Sequence, residues 1–154
     1  MNYRSFLSGL IIIAFAICIF SFSLQDAPTS NALSTQVTQS IYKVIAPIIE
    51  DTNYSIPSLN NLIRDLTHFT LFFFLGLISM LLFLYQRFTL RKSSWIVLGL
   101  GTLVAITDEV IQIFSPGRAF ELVDLGKDIL GVIVSIVLVW VGVGIVKVIK
   151  HYIH

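Results

Sequence analysis

Long apolar runs alternate with short polar breaks along this chain. Four runs are long enough to cross a bilayer as helices, which takes ~20 apolar residues each: roughly 5–24, 59–85, 94–114 and 123–146. The breaks at 86–93 and 115–122 are short, so the last three helices are expected to be antiparallel neighbours. The break at 25–57 is longer and rich in Ser, Thr, Asn and Gln. Within it Leu33, Val37, Ile41, Val44, Ile45, Ile48 and Ile49 follow helical spacing. That pattern predicts an amphipathic helix, lying on the outer membrane surface or packed over the mouth of the bundle. Ser58 reads as the N-cap of the second span. The expected fold is all-α: one domain over 1–154, a four-transmembrane-helix bundle with an amphipathic surface helix in its first extracellular loop.

Composition agrees. Of 154 residues, 56% are hydrophobic and only 12% charged, with mean hydropathy +0.88, where a soluble domain carries about 25% charged residues. Lipid must be the main solvent. The first run is longer than a signal-peptide core and no A-x-A site follows, so it reads as a retained anchor. Net charge is +1 with no basic tail, which argues against a nucleic-acid partner. Cys18 is alone, so there is no internal disulfide and no CxxC motif; it is expected to be a small buried hydrophobe.

Charge also orients the chain. Arg4, Arg87, Arg91, Lys92, Lys147 and Lys150 all fall on one side of the spans, which predicts a cell-membrane protein with both termini cytoplasmic. All nine acids, from Asp26 to Asp128, fall in the opposite half.

The polar residues of the spans share one depth. Arg64 and His68 are i,i+4 on span two, and Phe72, Gly76 and Ser79 continue that face inward. Asp108, Glu109 and Gln112 lie near the outer end of span three. Asp124 and Asp128 are i,i+4 on span four, with Gly131 and Ser135 on the same stripe. Small residues there allow close helix approach, as do Gly99 and Gly101 in span three. Ser115-Pro116-Gly117 reads as a tight turn with Arg118 beside it. Charges inside hydrocarbon are costly and usually functional. The expectation is an outward-facing polar pocket of Arg64, His68, Asp108, Glu109, Gln112, Arg118, Asp124 and Asp128. Plainer roles stand beside this one. Arg64 and Arg118 would then pair with Asp124 or Asp128 or snorkel to the interface, Asp124 would cap span four, and Asp65, Glu121 and Lys127 would be solvated or interfacial.

These residues also carry a resemblance. RDLTHFTLFFFLG (64–76), followed by DEVIQIFSPGRAFELVDLGKDILG (108–131), resembles the VanZ-like family, whose pattern is an R-x-x-x-H-F block, a D-E-x-x-Q block, then G-R, D and (D/N)-x-x-G. Arg64, His68, Phe69, Gly76, Glu109, Gln112, Gly117, Arg118, Asp124, Asp128 and Gly131 match by position, while Asp65 and Phe72 replace a basic residue and an aromatic hydroxyl common in the family. The resemblance implies a small multi-pass protein of the bacterial cell envelope, in a family named for resistance to the lipoglycopeptide teicoplanin.

Two readings of the pocket stand side by side. In one it binds a membrane lipid or lipid-linked cell-wall precursor without catalysis, Arg64 and Arg118 suiting phosphate oxygens. In the other it is an intramembrane hydrolase or transferase on a lipid-linked substrate, with Glu109 as general base, His68 and Asp108 assisting and Arg118 stabilising developing charge. No cofactor is read from the sequence. His68, Asp108, Glu109 and Asp128 are suitable metal-ligand types, but no HExxH or similarly dense motif accompanies them. A proton-coupled transporter ranks last, because the inner halves of the spans lack acids and histidines.

Overall fold

In the computed structural model, residues 3–45 and 56–153 are described. They form five helices: α1 (Tyr3–Ser23), α2 (Ala27–Ile45), α3 (Ile56–Tyr85), α4 (Leu90–Ile113) and α5 (Leu122–Ile153). Four of them, with α3 counted over Leu59–Tyr85, are long and apolar enough to cross a membrane. There is no strand among the described residues. The fold is the expected all-helical four-span bundle, with α2 as the additional helix after the first span.

The packing is that of a protein dissolved in lipid. The buried stripe of α4 is Ser93, Val97, Gly101, Val104, Ala105, Asp108, Glu109 and Gln112, and that of α5 is Asp124, Asp128, Gly131, Val132, Ser135 and Val139. On these two helices most inward side chains are small or polar, and Phe72, Leu75 and Met80 of α3 and Ile19 of α1 fill the core beside them. Large apolar ones such as Trp95, Leu103, Val137 and Ile145 face outward. Hydrocarbon outside the bundle removes the hydrophobic reason to bury leucine, so close contact and polar pairing decide the interior instead. Cys18 follows the same rule, being exposed on the lipid side of α1 rather than buried.

α3 packs most extensively on α5, and Gly131 is the reason they come so close. A Cβ on Gly131 would stand 2.5 Å from the Phe69 carbonyl oxygen and 3.0 Å from the Phe73 nitrogen. Gly101 similarly receives the side chain of Val132, whereas Gly99 has nothing within 4 Å and eases no contact.

Helix ends follow local chemistry. α4 begins four residues before the expected Ser94, because the Thr89 side chain accepts the Lys92 N–H as N-cap. α3 ends where Arg87 enters the left-handed region at φ 70°. Phe88 N–H bonds Phe83 C=O, Arg87 N–H bonds Leu84 C=O, and the Phe83 and Phe88 rings meet edge to face at 5.6 Å, which together make a Schellman motif. Ser58 is not an N-cap: α3 already runs through it. α5 continues to Ile153, beyond the expected 146.

The helices alternate in direction, so the start of α1, the α3–α4 turn and the end of α5 share one end of the bundle. There Ser5 Oγ donates to Gln86 Oε1 and Arg4 lies over the Tyr85 ring. The α1–α2 corner, the start of α3, the α4–α5 connection and the candidate site occupy the other end.

Candidate functional site

Two short connections frame the site. Ser115 to Arg118 form a type II turn, with Pro116 second, Gly117 at φ 77° third, and Arg118 N–H donating to Ser115 C=O. Glycine is needed there because the third position takes a positive φ. Ser115 Oγ donates to Ser23 C=O, and Pro116 C=O accepts the Ala27 N–H, tying this turn to the α1–α2 corner. Asp26 caps α2, its carboxylate accepting the Thr29 N–H, and hydrogen bonding from the Thr29 side chain and then from its N–H holds the group below its ordinary pKa. α2 is thereby drawn over the bundle mouth: Thr38 is fully buried and donates to Asn60 Oδ1 on α3. Leu33 and Val37 of α2 remain exposed. The structure packs α2 against α3 at this end of the bundle. Ile48 and Ile49 lie outside the described residues.

Beneath this cover the acids from two helices converge. Asp108 is fully buried: its Oδ1 accepts from Ser23 Oγ at 2.5 Å and its Oδ2 from Gln112 Nε2 at 3.0 Å. Asp128 is also fully buried, with Oδ1 3.4 Å from His68 Nδ1. Glu109 is buried, and its Oε2 accepts the Glu121 N–H at 2.8 Å. Because the Glu121 carbonyl accepts the first helical hydrogen bond of α5, Glu109 fastens the N-terminus of that helix from outside it.

The remaining charges separate into two groups. Lys127 Nζ donates to Asp65 at 2.6 Å and to Asp124 at 2.7 Å. Lys127, half-exposed, therefore bridges α3 and α5, and Asp124 sits in the first turn of α5 as its partner. Arg64 and Arg118 have no carboxylate within 4.0 Å among the described residues, so they are not the partners of Asp124 or Asp128. Both arginines line a polar cavity of about 160 Å³ with Gln112, Glu121, Asn31 and Asp124. Burial, and then the neighbouring Arg64, push the Arg118 guanidinium below its ordinary pKa. A larger cavity of about 350 Å³ shares both arginines and His68, and is walled by Ile19 and Phe22 of α1, Leu33 and Val37 of α2, and Leu71 of α3.

All eight residues expected from the sequence lie at this end of the bundle. The structure brings His68, Asp108 and Asp128 into one group, with Gln112 on Asp108. It sets Arg64 and Arg118 along the cavity and directs Glu109 toward the α4–α5 connection. Ser23 was missed. It is one of several serines in an apolar span, and no sequence spacing links it to Asp108, 85 residues away. Lys127 as a bridge was also missed, since its two partners sit on different helices.

Fold and site together define a multi-pass membrane protein with a polar, charge-lined site at one end of a four-helix bundle. The sequence matches the profile of the VanZ/LLP1 family over residues 8–146, and the chain belongs to that family. No curated protein and no solved structure matches it.

Proposed function

We propose that this chain binds the phosphate-bearing head of an anionic membrane lipid or lipid-linked cell-wall precursor at Arg64 and Arg118. One observation carries the reading: two arginines without carboxylate partners among the described residues line both a polar cavity and an adjoining, mostly apolar one. Guanidinium groups match phosphate oxygens in geometry and charge, and the apolar walls of Ile19, Phe22, Leu33, Val37 and Leu71 suit an acyl or prenyl chain. A bound anion would also relieve the mutual repulsion of the two cations.

The test is a native mass-spectrometry titration of the full chain with a polyprenyl phosphate, phosphatidylglycerol and phosphatidylcholine. The two phosphomonoester and phosphodiester anions should bind ahead of the zwitterion, and Arg64→Ala and Arg118→Ala should weaken them. Equal binding of all three lipids sinks the reading. A role in the cell envelope's response to teicoplanin extends the same reading. It predicts that Arg118→Ala resembles loss of the gene in susceptibility, and identical susceptibility in wild type, variant and deletion removes that role.

The proposal includes a topology with the site outside and both termini cytoplasmic, supported by the basic residues at the opposite end, Arg4, Arg87, Arg91, Lys92, Lys147 and Lys150. A fluorescent protein that matures only in the cytoplasm, fused at the C-terminus, should be bright; a dark fusion with normal expression reverses the topology.

A second reading, acid–base chemistry on a lipid-linked substrate, has its own support. Glu109 Oε1 is buried without a hydrogen-bond partner among the described residues, leaving one carboxylate oxygen uncommitted. Glu109→Gln should then alter the lipid profile of cells without unfolding the chain. An unchanged profile with a folded variant eliminates this reading.

A further inference from the structure

The least compensated charges in the bundle sit together. Asp108 on α4 and Asp128 on α5 are both fully buried. One ligating atom from each, and one ring nitrogen of His68 on α3, lie within 4.8 Å of one another. Neither oxygen of Asp128 has a hydrogen-bond partner among the described residues. The cationic side chains nearby are directed elsewhere: Lys127 binds Asp65 and Asp124, and no Lys or Arg stands within 4.0 Å of Asp108 or Asp128 among the described residues. Buried carboxylates are normally hydrogen-bonded or paired; the His68 ring, its Nδ1 3.4 Å from Oδ1, stands beside Asp128 without hydrogen-bonding either oxygen, which leaves both free to ligate an ion.

We propose that His68, Asp108 and Asp128 form a binding site for one divalent transition-metal ion of the Zn²⁺ or Mn²⁺ type. The donor set is one imidazole nitrogen and two carboxylates; the imidazole suits borderline Zn²⁺, the carboxylates also suit the harder Mn²⁺, and Cu⁺ would want sulfur ligands. The spacing is close to what is needed: bonds of about 2.0–2.2 Å place ligand atoms roughly 3 to 4.4 Å apart, so side-chain movements of about an ångström complete the set. The charge balances, because a dication between two carboxylates and a neutral imidazole leaves no net charge at membrane depth. The ligands are oriented in advance. Ser23 and Gln112 each hold one oxygen of Asp108, and each oxygen keeps a further lone pair for an ion. Three protein ligands leave coordination positions for water or another ligand, as at open metal sites. The site uses neither Arg64 nor Arg118, and it stands whether or not a lipid phosphate binds there.

The test uses the full chain in detergent, stripped with EDTA and titrated calorimetrically with Zn²⁺ and, separately, Mn²⁺. At least one ion should bind saturably, at about one per chain. Asp128→Asn and His68→Gln should weaken it by on the order of 10- to 100-fold, while Thr107→Ala, a change to a half-buried residue of α4 outside the donor set, should leave it unchanged. Circular dichroism and gel filtration establish that the variants fold. A measurement that needs no variant accompanies these. Zn²⁺ should protect His68, and not His151, from carbethoxylation by diethyl pyrocarbonate, read by mass spectrometry. No saturable binding of either ion to the stripped wild type overturns the site. So does equal modification of His68 with and without Zn²⁺, or unchanged affinity in folded Asp128→Asn and His68→Gln; carboxylates neutralised by protons alone would give those results.

Discussion

Gly131→Ala is expected to destabilise the bundle by about 3 kcal/mol or more, at the upper end of the cost of overpacking a close contact, and Gly131→Leu to prevent its assembly. A Cβ at this position meets the Phe69 carbonyl oxygen and the Phe73 nitrogen, both backbone atoms of α3. A clash with the tip of a flexible side chain can be relieved by a rotamer change, but this one requires α3 and α5 to separate. Interiors are packed too densely to absorb that separation locally. Asp128 lies three residues earlier on the same buried stripe of α5, so the separation also draws it away from His68. Gly142 and Gly144 are the controls. A Cβ at either finds nothing within 4 Å, and alanine there should be neutral or favourable by up to about 1 kcal/mol, since glycine is the poorer helix former. Unfolding in mixed micelles with increasing denaturing detergent measures both. If Gly131→Ala is as stable as Gly142→Ala, the close α3–α5 contact is wrong.

The second large effect concerns binding. Removing both guanidinium groups, Arg64→Ala with Arg118→Ala, should lower affinity for an anionic lipid by roughly 100-fold or more, because a hydrogen bond to a charged group contributes about 1.5–3 kcal/mol and each arginine can make two to one phosphate. Each single change should cost roughly 10-fold, with Lys at either position recovering charge but not the forked geometry. Stability should move the other way. Arg118 is half-buried with its pKa lowered by burial and by Arg64, so deleting one of the two cations relieves repulsion in the unliganded chain. Binding that falls while thermal stability holds or rises distinguishes a ligand site from a structural pair. Binding unchanged in the double variant would sink the lipid-phosphate reading.

The level of the site along the helices was legible in the chain. In a lipid-facing helix an ionisable residue cannot be placed freely, so Arg64, His68, Asp108, Glu109, Asp124 and Asp128 had to share a depth. The Ser115–Arg118 turn was equally legible, since proline and glycine at those two positions leave few alternatives. The partnerships were not. The sequence allowed Arg118 to pair with Asp124 or Asp128, yet Asp124 takes Lys127 and the arginine lines a cavity. Glu109 and Asp108 are chain neighbours, and helical rotation of about 100° per residue sends one to Ser23 and Gln112 and the other to the N-terminus of α5.

What the sequence determined by itself was the solvent, the number of spans, their alternating directions and the end at which the charges gather, because hydrocarbon imposes length, hydropathy and depth on each helix separately. Which face of each helix meets which other face was decided only in three dimensions. That choice depends on shape, on places such as Gly131 where two backbones approach, and on hydrogen bonds between residues up to 92 positions apart in the chain. Local sequence pattern contains neither.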